Sequence, residues 1–249
     1  MRFYLIILSL LFSVTIVAQD NMRAANELYE EKRYDEAIAA YESMLNTGVE
    51  SAALYYNLGN AYFRMNDIAH AILNYERSLL LNPNNEDAKF NLELSQTKIV
   101  DKIDAVDTFF LRSWINGLSG LMKSNSWATL SIITFLLFII GLFGYVFGRY
   151  KIVKKIAFFA ACFLFLISLS SFFFAKMQKE KYMNREFAIV MDATVTVKSS
   201  PDESGTDLFL IHEGTKVKIR KVFENQEWLE IQLEDGNTGW IRVTTIERI

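Results

Sequence analysis

The sequence holds a single cysteine, Cys162, and only two histidines, His70 and His212. One thiol excludes an internal disulfide and leaves no partner for a thiolate metal site. Cys162 reads as a small apolar residue inside a helix. The histidines fall in different segments. No Cys/His or Ser/His/Asp set gathers in one segment, no cluster has metal-ligand spacing, and no glycine loop is built for phosphate. The carboxylates sit on solvated helix faces. The chain therefore reads as non-enzymatic, with no cofactor.

Charge is missing over two long stretches. Ser124–Gly148 and Ile156–Ala175 contain no Asp, Glu, Lys, Arg or His. About 20 apolar residues at roughly 1.5 Å each suffice to cross a bilayer core of about 30 Å. In lipid such a segment must satisfy its own backbone, so each reads as a transmembrane helix, at 124–148 and 156–175. A short basic loop, 149–155, joins them. With no ionisable group inside the spans, there is no sign of an ion path or proton relay. Gly141, Gly144 and Gly148 are spaced for close contact between the two helices.

The remaining charge is uneven. Residues 19–104 carry 15 acidic and 8 basic side chains, residues 105–184 carry 2 and 9, and residues 185–249 carry 12 and 8. Two acidic segments thus flank a basic membrane zone. Acidic segments are poor partners for phosphate, which argues against nucleic acid. The lipid bilayer is the partner implied for the middle.

At the start, Arg2 precedes the apolar run Phe3–Phe12, and Ala18 offers a small residue before Gln19. This pattern reads as a signal peptide over 1–18. Ile16 is bulkier than a cleavage site favours, so an uncleaved anchor is the alternative. Basic residues on the two sides of the hairpin nearly balance, and the export signal decides orientation. Residues 19–123 and 176–249 are expected outside, with the 149–155 loop in the cytoplasm.

The first acidic segment repeats itself. Tyr34-Asp-Glu-Ala-Ile-Ala-Ala-Tyr41 recurs as Ile68-Ala-His-Ala-Ile-Leu-Asn-Tyr75, an offset of 34. Tyr55-Tyr-Asn-Leu-Gly-Asn-Ala-Tyr62, then Ala71, Tyr75, Ser78 and Pro83, resemble a tetratricopeptide repeat. A fragment of a third copy opens at Glu86. Such repeats pair antiparallel helices, with small residues such as Gly59 and Ala71 allowing close approach and large ones such as Leu58 and Tyr75 filling the gap. Two and a half repeats are few, so the helix from Glu86 is expected to cap an array over 19–104. The resemblance implies a peptide groove at Met22, Arg23, Asn26, Tyr29, Tyr56, Asn57, Asn60, Phe63, Phe90 and Asn91. Arg23, Asn57 and Asn91 form a polar ladder at intervals of 34. The family's lysine clamp for a free carboxylate is absent, since Gln19, Ala53 and Asp87 stand there.

Between Asp104 and Ser124, apolar residues from Phe109 through Trp114 and Leu118 to Met122 recur at helical spacing, with Arg112, Ser113, Asn116 and Lys123 between them. This predicts an amphipathic interfacial helix over 105–123, anchored by Trp114 and Trp127. The alternative is a last packed helix of the repeat array.

Residues 176–186 read as a juxtamembrane linker, polar but able to extend the second span as a helix; after it the period shortens to two. Ala193-Thr-Val-Thr-Val-Lys, Leu208-Phe-Leu-Ile, Val217-Lys-Ile-Arg, Trp228-Leu-Glu-Ile-Gln-Leu and Gly239-Trp-Ile-Arg-Val predict five strands of a small all-β barrel over 187–249. With Asp235-Gly-Asn-Thr-Gly-Trp240, these resemble a bacterial SH3 (SH3b) domain. Trp228, Trp240 and the 199–207 loop are its candidate contacts.

The fold class is thus a multidomain membrane protein: an all-α helical repeat, a two-helix hairpin and an SH3-like barrel. The order of signal, repeats, two spans and SH3b domain resembles the BatE-type proteins of the bacterial aerotolerance operon. That resemblance implies a bacterial inner-membrane scaffold with both soluble domains periplasmic. It would work with other Bat proteins and indirectly with a MoxR-type ATPase, in envelope integrity or stress tolerance. The alternative is a sensor or tether that binds peptidoglycan through the SH3b domain.

Overall fold

The computed structural model describes residues 21–103, 110–223 and 227–249. The expected signal segment at 1–18, Phe109, and the side chains of Phe110, Arg112 and Ser113 lie outside the described residues. The chain forms two compact units. One combines the residues before Thr108 with Arg185–Ile249; the other is Thr108–Asn184.

The first unit begins with five helices: α1 (21–30), α2 (Tyr34–Asn46), α3 (Ala52–Arg64), α4 (Ile68–Leu81) and α5 (Glu86–Gln96). Local sequence sets their ends. Ser51, Asp67 and Asn85 each accept a backbone N–H three residues on, at 3.1 Å, satisfying a donor that the helix start leaves unpaired. Lys32 and Asn66, one repeat apart, take left-handed φ values of 63° and 62° where each helix pair turns. Inside the second pair, a Cβ on Gly59 would lie 2.8 Å from the Tyr75 ring, so only glycine allows this approach. Ala25, Ala37, Tyr41, Leu54, Leu58 and Ala61 form one core where the first pair, α1 and α2, meets α3 of the second.

Seven antiparallel strands complete this unit: β1 (Phe187–Val190), β2 (Thr194–Lys198), β3 (Asp207–His212), β4 (Lys216–Val222), β5 (Trp228–Gln232), β6 (Thr238–Arg242) and β7 (Ile246–Arg248). They form one sheet in the order β3-β2-β6-β5-β4-β1-β7. The sequence pattern predicts five strands; β1 and β7 are the additions. They pair with each other, and Ile249 donates its N–H to Phe187 O at 3.0 Å. Val190, Val197, Ile211, Leu229, Ile231 and Ile241 fill the β core.

The β module and the repeats share a second core. Ile189 and Ile249 join Ile72, Leu73, Tyr75 and Leu92, with Ile99 packed against them. Helix α4 is consequently buried on two sides, against α3 and against β1. The array that reads as short of repeats is closed by the β module as well as by α5. At the joint, Lys216 pairs with Glu76 at 2.6 Å and Arg77 with Glu247 at 3.0 Å.

The second unit holds α6 (Phe110–Gly120), α7 (Ser124–Phe147) and α8 (Lys151–Asn184). The basic loop expected over 149–155 narrows to Gly148–Tyr150, and α8 runs without a break through the polar stretch expected to be linker. Lys176 and Glu180, one turn apart at 3.7 Å, continue its helical pattern past the apolar part. Helices α7 and α8 are long and apolar enough to cross a membrane, and their most apolar windows are only 11% and 17% buried. That much exposed apolar surface marks a lipid or partner face. The two helices pack through small residues: a Cβ on Gly141 would stand 3.1 Å from Ala161 Cβ. Ser131 Oγ donates to Ser168 O, and Ser168 Oγ to Ser131 O, both at 2.9 Å. Trp127, expected as an interfacial anchor, is instead buried. Its Nε1 donates to Ser119 O at 2.9 Å and its ring lies 5.0 Å from Phe174. Trp114 is 71% exposed. Helix α6 belongs to this unit and not to the repeat array.

Candidate functional site

The repeat geometry turns on two asparagines. Asn26 Oδ1 accepts from Tyr41 Oη and from Asn57 Nδ2, both at 2.8 Å. One repeat later, Asn60 Oδ1 accepts from Tyr75 Oη and from Asn91 Nδ2, again both at 2.8 Å. Each node ties the two helices of its own repeat to the first helix of the next. The oxygen's two lone pairs are both used. Burial raises the Tyr41 pKa to about 12 and raises Tyr75 further still, so both stay protonated donors.

This corrects the reading of the ladder. Asn57 and Asn91 direct their amide N–H groups along the array, stitching repeats together; the remaining ladder position is Arg23. It is exposed and pairs with Glu27 at 3.5 Å. Four of the ten expected groove residues, Asn26, Tyr29, Asn57 and Asn60, line one cavity of about 200 Å³ with Glu30 and Tyr41. The others are dispersed. Tyr56 packs against Tyr75 with ring centroids 6.2 Å apart, and Phe63 is covered by the Lys98 ammonium at 4.6 Å. Met22 packs into the first-repeat core, while Phe90 is 65% exposed beside Asn91. What the cavity offers is hydrogen-bonding amides over an aromatic wall, with Glu30 at its edge.

The β module presents a second cleft, of about 360 Å³, between β2, β5 and β6. Trp228 stands opposite Arg242 and Glu230 opposite Trp240 in the β5–β6 ladder, so both tryptophans share the outer face of that ribbon. Trp228 is nearly buried beneath the Arg242 guanidinium, 5.7 Å above its ring, and Arg242 is held in turn by Glu203 at 2.8 Å. Trp240 is half-buried, edge-on to Phe223 at 5.9 Å. Of the two, only Trp228 lines the cleft, with Lys198 and Asp207 paired at 2.9 Å at its side.

Both histidines are held by carboxylates. His70 Nδ1 lies 2.9 Å from Asp67, and His212 Nδ1 lies 2.8 Å from Asp101. The first extends a helix cap; the second ties the β module to the end of the repeat segment. Sequence reading left both without a partner. The Asp67–His70 pair stands three residues apart at a helix start, which is a legible signal; the Asp101–His212 pair is not legible.

A tetratricopeptide-repeat family model matches residues 52–85, and a TPR-repeat model matches residues 25–66. No curated protein matches the chain. The matched region is the segment that builds both asparagine nodes except Asn91. Tetratricopeptide repeats are interaction modules, so the chain has a protein–protein interaction role.

Proposed function

We propose that this chain is a non-enzymatic scaffold of a bacterial inner membrane, inserted through α7 and α8. The repeat cavity at Asn26, Tyr29, Asn57 and Asn60 holds an extended segment of a partner protein. The observation that carries the proposal is this cavity, framed by the two asparagine nodes, on a repeat array whose chain continues into two exposed apolar helices. Two crossings return a chain to the side it left. The shared core of repeats and β module supports the reading that both lie on one side, and the export-like start of the sequence favours the periplasm for that side. The β module is read as an SH3b domain, and the partners as Bat-type membrane proteins, with a MoxR-type ATPase acting indirectly.

Two measurements test this. In a Cys162→Ser background, single cysteines at Leu94 and Asp235 should both react with a membrane-impermeant maleimide applied from the periplasmic side. Labelling of one position only, or of neither before lysis, rejects the topology. Glu30→Ala, at the wall of this cavity, should remove co-purifying membrane proteins while leaving the helical circular-dichroism signal intact. Identical partner sets in the two samples reject the groove. The second reading, a wall sensor or tether, draws on the Trp228 cleft. Peptidoglycan pelleting of the detergent-solubilised full chain, lost in Trp228→Ala and kept in the groove variant, would favour it.

A further inference from the structure

One row of side chains borders the repeat groove without a role so far. Glu30, Arg64 and Lys98 follow one another at intervals of 34 residues. They stand at or just past the C-terminal ends of α1, α3 and α5, the three helices that the asparagine nodes hold side by side. Glu30 lines the groove cavity together with Tyr29. Arg64 Nε reaches back to Tyr29 Oη at 3.4 Å, and Lys98 Nζ reaches back over the Phe63 ring at 4.6 Å. The row therefore follows the groove from one repeat to the next.

All three residues are exposed, and none of them forms an ion pair among the described residues. Charges close by in the chain do: Arg23 pairs with Glu27, and Arg33 with Glu31 and Glu36. The helix field accounts for two members of the row. It favours a cation at a helix C-terminus, which suits Arg64 and Lys98, and disfavours an anion there, which opposes Glu30. Glu30 thus stands at the end of α1 against that field, with no cation of the described chain to offset it. From α1 to α5 the row runs minus, plus, plus.

We propose that this row selects the partner segment by charge order: the segment places a lysine or arginine over Glu30 and carboxylates over Arg64 and Lys98. The proposal rests on the groove reading above and adds the kind of sequence that the groove accepts. Packed helices stand about 10 Å apart. A polyproline-II segment brings every third side chain to one face and advances about 9 Å over three residues. Charged residues three apart in such a segment therefore keep step with the row. Exposed ion pairs add little affinity each, so the row decides which segment binds more than how tightly it binds. A segment with the wrong order meets two like-charge contacts, at Glu30 and at Arg64.

The test uses full-length protein in detergent at low salt and three peptides of one composition, each with the same uncharged fluorophore at its amino end and read by anisotropy. Lys-Pro-Pro-Glu-Pro-Pro-Glu-amide and its reverse, Glu-Pro-Pro-Glu-Pro-Pro-Lys-amide, present the charge order of the row in opposite chain directions. Glu-Pro-Pro-Lys-Pro-Pro-Glu-amide does not. One of the first two should bind about tenfold tighter than the third. That preference should vanish at about 1 M salt, where the screening length is about 3 Å. Glu30→Arg with Arg64→Glu, an exchange at two exposed positions, turns the row to plus, minus, plus and should reverse the preference. Should that variant fail to fold, the comparison of peptides on wild type still decides. Equal binding of the three peptides, no binding of any, or a preference unchanged by the exchange overturns the proposal. A wild-type dimer that the exchange dissociates, with no peptide preference, would put a second copy on the row and overturns it as well. Capture of membrane proteins that still depends on Glu30 while the three peptides behave alike keeps the groove and discards the charge order alone.

Discussion

The Asp101 carboxylate grips His212 twice: Oδ2 accepts its backbone N–H at 2.7 Å, and Oδ1 meets its ring Nδ1 at 2.8 Å. Thr215 Oγ1 adds a third bond to Oδ2 at 2.6 Å. Burial alone would raise the Asp101 pKa, but the hydrogen bonds from Thr215 and His212 outweigh it and lower the value. A carboxyl whose folded pKa is depressed stabilises the fold above its unfolded value of about 3.9, and the contribution is lost as pH falls through the folded one. Asp101→Ala strands three donors at the joint and should cost about 3 kcal/mol. Urea denaturation near pH 7 measures it; an unchanged midpoint would show that the joint does not depend on this residue.

Gly214 sits at the same joint with φ +83°, and a Cβ there would stand 2.6 Å from Ile99 Cγ2. Gly214→Ala therefore meets two penalties, a left-handed backbone and an overlap with the repeat side. The expected loss is about 2–3 kcal/mol. Ile99→Ala in the same chain should relieve the overlap, so the double variant loses less than the sum. Strict additivity in a double-mutant cycle would contradict the contact.

The sequence pattern places both Asn60 and Phe90 in the expected groove, yet they should respond differently. Asn60→Ala strands Tyr75 Oη and leaves Asn91 Nδ2 only the 3.5 Å contact to Tyr56 Oη, and should cost about 2 kcal/mol of stability. Phe90 is mostly exposed, and Phe90→Ala should shift stability by less than about 0.5 kcal/mol. Thermal melts of the two variants decide the matter. Equal losses would mean that the node does not carry the array.

The contrast shows where sequence reading ends. An offset of 34 places Asn26 with Asn60 and Tyr41 with Tyr75, so the repeat and its helices were legible from spacing. It does not say whether an amide points along the array or outward, because that depends on which lone pairs a neighbouring helix uses. The apolar helices were legible from missing charge, but the start of α8 at Lys151 was not, since basic residues suit a helix as well as a loop. Strand β7 spans only Ile246–Arg248, too short for a period to register. The docking of the β module rests on Asp101, Gly214 and Ile249, residues far apart in the chain whose meeting no local pattern encodes.

In the second unit, packing should outweigh hydrogen bonding. Ala161 is 1% exposed against Gly141, so Ala161→Leu must push α7 and α8 apart, at a cost of about 1–3 kcal/mol. Ser168→Ala removes one half of a reciprocal pair with Ser131, and with α7 and α8 in lipid as proposed the loss is about 0.6 kcal/mol. Fluorescence of the buried Trp127 during unfolding in detergent reports both. A larger effect for serine would reverse the ranking.

His70 makes stability depend on pH near neutrality. Its pKa is raised, first by the hydrogen bond to Asp67, against the opposing effect of burial. The charges of Asp67 on its own helix start, Glu247 on β7 and Glu42 on α2 add to the rise, and Tyr62 on α3 stacks on the ring at 4.8 Å. Asp67 itself has a lowered pKa and stays ionised throughout this range, because the His70 bonds outweigh its burial. A histidine whose folded pKa exceeds its unfolded value of about 6.5 contributes in full below that value. The contribution fades as pH rises through the folded pKa. His70→Gln keeps the backbone N–H that caps onto Asp67 and removes only the titrating ring. The stability gap between wild type and this variant should therefore be largest below about pH 6.5 and shrink in alkaline buffer. With 37% of the side chain in solvent, the pH-dependent part should stay below about 1 kcal/mol. Urea midpoints of both proteins from acid to alkaline buffer measure it, and a gap that is flat or widens with pH would show that Asp67 does not hold His70 as a cation.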